Sequence, residues 1–233
     1  MKIKYIGTAA AEAIPALFCH CDLCKRAREL GGKNIRGRSG AVINDKLIVD
    51  FPPDIYFQSL KFNIDLGSIK DMVITHTHID HFAANELLFR DTAYYAHLPQ
   101  DSKPISIYGN KNVLYELSSA MQKEFGVIDK NFAAYTEAKP FEPFYAGDIK
   151  VIPLLARHTP REKCLIYIFE HSGKRFLYGN DTGYLPDEDF EFIKGLHLDL
   201  VSLDCCFGNM KEGSNHMGIP DNLEVKNRLE ELG

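Results

Sequence analysis

The chain has 233 residues, 45% hydrophobic and 25% charged, enough for a core of ordinary size in one large domain or two small ones. Its net charge of −5 comes without a long basic run, which argues against a nucleic-acid partner. No segment approaches the ~20 apolar residues a bilayer span needs. Met1–Gly7 is too short and polar for a signal peptide, so the six cysteines read as reduced thiols in the cytoplasm.

In chain order, Lys2–Ile6 reads as an edge strand, followed by a Gly/Ala loop through Pro15 and an irregular cysteine-containing insertion at about 17–38. Ala41–Asn44 and Lys46–Asp50 read as a hairpin about Asn44-Asp45. Asp54–Leu60 is expected to be helical, Met72–Thr75 a buried strand, Phe82–Phe89 a helix and Ile105–Tyr108 a strand. Val113, Leu114, Leu117, Ala120 and Met121 give 110–124 a helical apolar stripe. Ile149–Leu155, Cys164–Glu170, Arg175–Gly179 and Leu198–Leu203 are strands, and Asp221–Leu232 is a helix behind Pro220. No repeat or linker divides this pattern, which implies one domain over 1–233. Strands followed by helices, twice over, suggest two packed sheets with helices outside. Periodicity alone does not separate that from a doubly wound α/β fold.

Chemistry concentrates in Thr75-His76-Thr77-His78-Ile79-Asp80-His81, directly after Met72-Val73-Ile74. Residues two apart in extended backbone project the same way, so His76 and His78 can face one ion, and Asp80 and His81 can face a second. Imidazole with carboxylate suits Zn, Mn or Fe rather than Ca. The competing reading, a solvated His-rich turn, leaves this spacing unexplained. Two later positions, each where a strand gives way to a loop, offer further ligands: His158 after Val151–Leu155, and Asp181 after Phe176–Tyr178. Asp50 and Asp204 each end a strand. Each reads either as an acceptor that orients a histidine or as a plain turn carboxylate.

These residues, with Gly7-Thr8-Ala9-Ala10, resemble the metallo-β-lactamase superfamily from Lys2 to about Gly218. The resemblance implies an α/β fold, a four-layer αβ/βα sandwich. It gives His76, His78 and His158 to a first metal, Asp80 and His81 to a second, and Asp181 to both as a bridge. Cys19-His20-Cys21-Asp22-Leu23-Cys24 places three thiols in a CxCxxC pattern that suits a structural zinc. That insertion resembles the branch containing phosphoribosyl 1,2-cyclic phosphate phosphodiesterase, and also an accessory protein of pyrroloquinoline quinone synthesis. In the phosphodiesterase branch, a histidine at the place of His216, in Asn215-His216-Met217-Gly218, lies beside the metals without ligating them. It can donate a proton or bind a phosphate oxygen. The family pattern includes one more strand after 221–232, with a final ligand histidine and a histidine that completes the cysteine site. This chain ends at Gly233, so the fold is expected to lack that strand and the two sites to lack those ligands.

The expectation is therefore a hydrolase with two divalent ions, Mn or Zn, and one structural Zn at Cys19, Cys21 and Cys24. His216 and Asp80 are its candidate catalytic residues. The substrate is expected to be a small phosphate diester, cyclic ones included, hydrolysed by a hydroxide shared between the ions. Lactone or thioester hydrolysis by the same centre is one alternative, and a metal-binding accessory or carrier protein without turnover is the other. A homodimer is compatible with the chain. Cys164, Cys205 and Cys206 lack ligand spacing and are expected to be buried small hydrophobes. His20, His97, His171 and His197 are expected to be structural or surface residues, and the loop 90–104 with Tyr94 and Tyr95 is a candidate pocket wall.

Overall fold

Apolar runs of two different lengths build two mixed sheets. The computed structural model describes residues 1–100, 104–128 and 132–233. They cluster into two compact units. One comprises Lys2–Ile107 and Val113–Tyr135; the other comprises Met1, Tyr108–Asn112 and Thr136–Gly233.

The first unit holds most of a six-stranded sheet. In chain order its elements are β1 (Ile3–Gly7), α1 (Asp22–Leu30), β2 (Gly40–Ile43), β3 (Leu47–Val49), α2 (Ile55–Phe62), β4 (Asp71–Val73), α3 (Ala84–Leu87), β5 (Ile105–Gly109), α4 (Lys111–Phe125) and β6 (Ala133–Glu137). The strands lie in sequence order from β1 to β6. β2 pairs antiparallel with β1 and β3, and β3 pairs parallel with β4. The hairpin turns where the sequence placed it. Lys46 N–H bonds to the Ile43 carbonyl, and Asn44 and Asp45 have φ of 51° and 56°. Asn and Asp tolerate these left-handed values, and the resulting primed turn matches the twist of the strands it joins. Val113, Leu117, Ala120 and Met121 of α4 recur at helical spacing and pack in one core with Val42, Ile48, Met72, Ile105 and Ile107. Leu114, predicted on that stripe, is instead 42% exposed.

The second unit holds β7 (Phe144–Ala146), β8 (Ile149–Leu155), β9 (Leu165–His171), β10 (Lys174–Gly179), α5 (Asp187–Ile193), β11 (Leu200–Leu203) and α6 (Ile219–Leu232). Its sheet order is β11-β10-β9-β8-β7, with β10 and β11 parallel and the other pairs antiparallel. Ile152, Leu154, Ile166, Ile168 and Leu177 cover α5 and α6 through Phe190, Ile193 and Val225. Tyr167, Phe169, Phe176 and Tyr178 are buried as well, so these strands are apolar on both faces and read as continuous runs.

α1, α5, β6 and β7 lie where no element was expected. α1 buries only Cys24 and Ala27, too few positions for a visible stripe. Phe82–Phe89 shortens to α3 followed by a 3-10 turn, Leu88–Arg90. Among the described residues, no helix is long and apolar enough to cross a membrane.

Candidate functional site

In the first unit the histidine loop leaves the end of β4, strapped to the strand beside it. Asp50 N–H bonds to the Val73 carbonyl, Phe51 N–H to the His81 carbonyl, and Ala83 N–H to the Phe51 carbonyl. His81 and Phe82 both donate their N–H to the His78 carbonyl, which curls the loop into a tight turn. Asp80 and His81 sit in that turn, ahead of α3. The turn gathers three imidazoles. The His76 ring lies 4.6 Å from His78 and 4.3 Å from His81, centroid to centroid. His76, Asp80 and His81 are buried.

Asp50 lies beneath this loop, fully buried, at a φ of 62°. Its Oδ1 accepts the Thr75 N–H at 2.8 Å, its two oxygens lie 3.0 Å from Thr75 Oγ1, and its Oδ2 meets His81 Nδ1 at 2.7 Å. Burial pushes this carboxyl up, while His81 and Thr75 pull it back. Of the two readings open for Asp50, the geometry supports the orienting acceptor. A proton on His81 Nδ1 that donates to Asp50 leaves the Nε2 lone pair facing away, ready for a ligand. That Nε2 lies 3.3 Å from Asp80 Oδ2. Two donors each about 2.1 Å from one tetrahedral ion stand about 3.4 Å apart, so this pair is spaced to share a metal. Thr75 Oγ1 also meets His76 Nδ1 at 3.0 Å. Sequence reasoning gave Thr75 no role; its position before the first histidine was the available signal.

The cysteine loop belongs to the same unit. Cys19, Cys21 and Cys24 bring their sulfurs within 4.8 Å of one another. Cys21 is the N-cap of α1. The Cys24 N–H and then the Cys19 thiol hold its thiol below the ordinary range. Cys24 is buried and accepts the Ala16 N–H at 3.3 Å, whereas Cys21 is exposed. Three sulfurs at this spacing offer zinc three of its usual four ligands.

The second unit carries the remaining predicted residues. His158 lies in the loop after β8 and Asp181 in the loop after β10. Arg157 N–H bonds to Thr182 Oγ1 at 3.0 Å, and Gly183 N–H to the Arg157 carbonyl at 2.7 Å, which ties the two loops together. His158 Nδ1 meets the Asn215 carbonyl at 3.2 Å, a contact that fixes the ring's orientation. Its ring stands 4.8 Å from that of His216, edge to face.

Asp204, buried at the end of β11, organises the loop that carries His216. Its Oδ1 accepts N–H bonds from Cys206 (3.1 Å) and Met217 (2.9 Å). Its Oδ2 meets His216 Nδ1 at 2.9 Å and accepts the Cys206 thiol at 3.4 Å. The orienting reading therefore holds for Asp204 too. Asp181 Oδ1 lies 3.7 Å from the same His216 nitrogen. The loop closes so tightly that a Cβ at Gly218 would fall 1.8 Å from the Met210 carbonyl, so only glycine fits there.

The cysteine expectation is met at Cys164, which is buried, and corrected at Cys205 and Cys206, which are exposed. They follow an edge strand and sit in a loop, where residue type alone misjudges burial. Cys206 also offers its sulfur beside Asp181, Asp204 and His216, the four donor atoms all within 4.8 Å of one another. His20 and His97 are exposed as expected, and His171 and His197 stand beside Asp148 and Asp199. Tyr94 and Tyr95 are exposed, and 101–103 of the loop at 90–104 lie outside the described residues.

The family model described as the beta-lactamase superfamily domain matches residues 47–231, most of the chain. The chain belongs to that superfamily. Its fold is similar to that of a diphosphatase from the PhnP family, with a TM-score of 0.74 at 19% identity, covering 98% of this chain and 82% of that one. It is also similar to Zn(2+)-bound PqqB from Methylobacterium extorquens, with a TM-score of 0.67 at 17% identity, covering 87% of this chain and 72% of that one. At such identities these likenesses show the metallo-β-lactamase fold. A Porphyromonas gingivalis protein named octanoyltransferase is 28% identical over 211 residues, 87% of this chain and 39% of that protein. The chain thus spans about two fifths of the length of that curated relative.

Proposed function

We propose that this superfamily member is a metal-dependent hydrolase of a small phosphate diester, cyclic diesters included. The observation that carries the reading is the Asp204–His216 pair with Asp181 at its side. It is an imidazole whose Nδ1 is fixed by a buried carboxylate, with a second carboxylate standing beside it. The fold likeness to a diphosphatase supports phosphorus as the electrophile.

As the family pattern implies, His76, His78 and His158 would hold one divalent ion, Asp80 and His81 a second, with Asp181 bridging. The donor chemistry suits Zn or Mn. The spacing of Asp80 and His81, and the Asp50 and Asn215 oxygens that fix the far nitrogens of His81 and His158, fit such ions. When bound, the ions polarise the phosphoryl oxygens and bring the ionisation of water into the neutral range. Asp80 would act through the ion it helps to hold. Protonated on both nitrogens, with its Nδ1–H held by Asp204, His216 would give its Nε2 proton to the leaving oxygen, and Asp204 would fix the ring's orientation and stabilise its charge. Cys19, Cys21 and Cys24 would hold a structural zinc that pins the start of α1. The protein would work as a soluble cytoplasmic enzyme.

His78→Ala and Asp181→Ala are each expected to abolish diester turnover and to lower metal content, read by elemental analysis of chelator-free protein. Turnover at near the unsubstituted rate in either variant would overturn the mechanism.

A second reading rests on the relative named octanoyltransferase: the same centre would hydrolyse an acyl ester or thioester. A panel of cyclic and linear phosphodiesters, lactones and octanoyl thioesters separates the two by which class is consumed. Full metal occupancy with no turnover of any class would instead favour an accessory or carrier role.

A further inference from the structure

We propose that Cys206 turns the loop after β11 into a capture site for a thiophilic divalent ion, zinc above all, and that occupancy of this site shuts the enzyme down. The inhibitory consequence rests on the hydrolase reading above; the binding site itself does not.

Sequence reasoning set Cys206 aside as a buried hydrophobe, yet it is an exposed thiol. It shares an acceptor with the candidate acid: Asp204 Oδ2 is 3.4 Å from Cys206 Sγ and 2.9 Å from His216 Nδ1. His216 Nδ1 is in turn 3.7 Å from Asp181 Oδ1. All four donor atoms lie within 4.8 Å of one another. Donors about 2.0–2.3 Å from one tetrahedral zinc stand about 3.3–3.8 Å apart. Two of the three distances fall in that range. The third is shorter because a hydrogen bond now spans Asp204 and His216. An ion there replaces the His216 Nδ1 proton and the Cys206 thiol proton, both released to solvent.

The donor set also selects the ion. One thiolate and one imidazole with two carboxylates favour zinc over manganese, which prefers oxygen donors. The other three residues without the sulfur would make a harder and weaker site. Capture removes the Asp204 hydrogen bond that aims His216 and diverts an oxygen of Asp181. A protein loaded with manganese would thus lose turnover as free zinc rises.

The test compares the unsubstituted chain with Cys206→Ser. Serine keeps a hydroxyl donor for Asp204 but removes the soft ligand, so manganese-supported turnover is expected to stay unchanged. The free zinc concentration that halves turnover is expected to rise at least tenfold. Cobalt(II) gives a readout independent of catalysis. At equal cobalt loading, the near-ultraviolet sulfur-to-cobalt band of the unsubstituted chain is expected to exceed that of Cys206→Ser. The cysteine loop contributes equally to both. Titration is expected to show one more cobalt per chain in the unsubstituted protein. Equal bands and equal stoichiometry would overturn the capture site, whether or not any substrate is turned over. A cobalt difference with no turnover of any substrate would uphold the site and sink the hydrolase reading instead. Should Cys206→Ser lose its thermal unfolding transition, Cys206→Ala supplies the same comparison.

Discussion

Asp50 and Asp189 are both sealed from solvent, one in each unit, and burial pushes both carboxyls up. Their partners differ. Asp50 has both oxygens engaged, by the Thr75 N–H and hydroxyl and by His81 Nδ1. Among the described residues, Asp189, in α5, accepts only the Leu155 N–H at 3.0 Å, and its Oδ2 makes no hydrogen bond. Its pKa rises to about 7, driven by burial and then opposed by the Leu155 bond, with Glu188 adding to the rise and Arg157 opposing it. A buried carboxylate with a full set of donors can aim a metal ligand. A half-satisfied one lowers its cost by holding a proton, and its remaining work is to fasten a strand end.

Substitution at Asp50 tests one side of this contrast and carries the largest expected effect. Asp50→Asn keeps the shape but withdraws the charge opposite His81, and the amide nitrogen faces a donor. Metal affinity of the histidine loop is expected to fall about 10–100-fold, measured by competition with a chelator of known affinity. An unchanged affinity would make Asp50 merely structural.

Asp189→Asn tests the other side, and the expected change has the opposite sign. Unfolded, Asp189 ionises near pH 4; folded, it holds its proton to about 7. As pH rises through that window the unfolded chain has already released the proton, so stability falls, and above pH 7 the loss is complete. Asparagine cannot ionise and still accepts the Leu155 N–H. The variant is therefore expected to match the unsubstituted chain near pH 4 and to exceed it at pH 8 by on the order of a few kcal/mol. Denaturant midpoints at the two pH values check this, and equal midpoints at pH 8 would overturn it.

Thr75→Val is the finest probe. It removes the hydroxyl between Asp50 and His76 but keeps the backbone donor. A loss of about 1–2 kcal/mol in stability is expected, with a smaller change in metal affinity than Asp50→Asn gives.

How much of this was legible follows from how local each arrangement is. The histidine loop could be read because its donors are neighbours in sequence and a single turn gathers them. The Asn44-Asp45 turn and α4 could be read because local chemistry and one apolar stripe determine them. Asp204, Cys206 and His216 could not be joined from sequence, since Asp204 and His216 stand 12 positions apart and meet only where the loop folds back on itself. α1 escaped because only two of its side chains are buried, and α5 because its seven residues open on three acids ahead of Phe190. β7 escaped because three residues show no alternation.

Asp50 and Asp181 share one more property. Both adopt left-handed backbone, at φ of 62° and 51°. Such a conformation costs most side chains about 1–2 kcal/mol and asparagine and aspartate less, because their short polar groups bond locally. Evolution therefore meets a filter here that charge does not describe. Glutamate, the chemist's nearest substitute, is penalised by its own main chain before its carboxylate reaches anything. Asparagine, the electrically wrong replacement, meets less of that main-chain penalty. At these two positions the main chain itself therefore admits the loss of charge more readily than a longer acid.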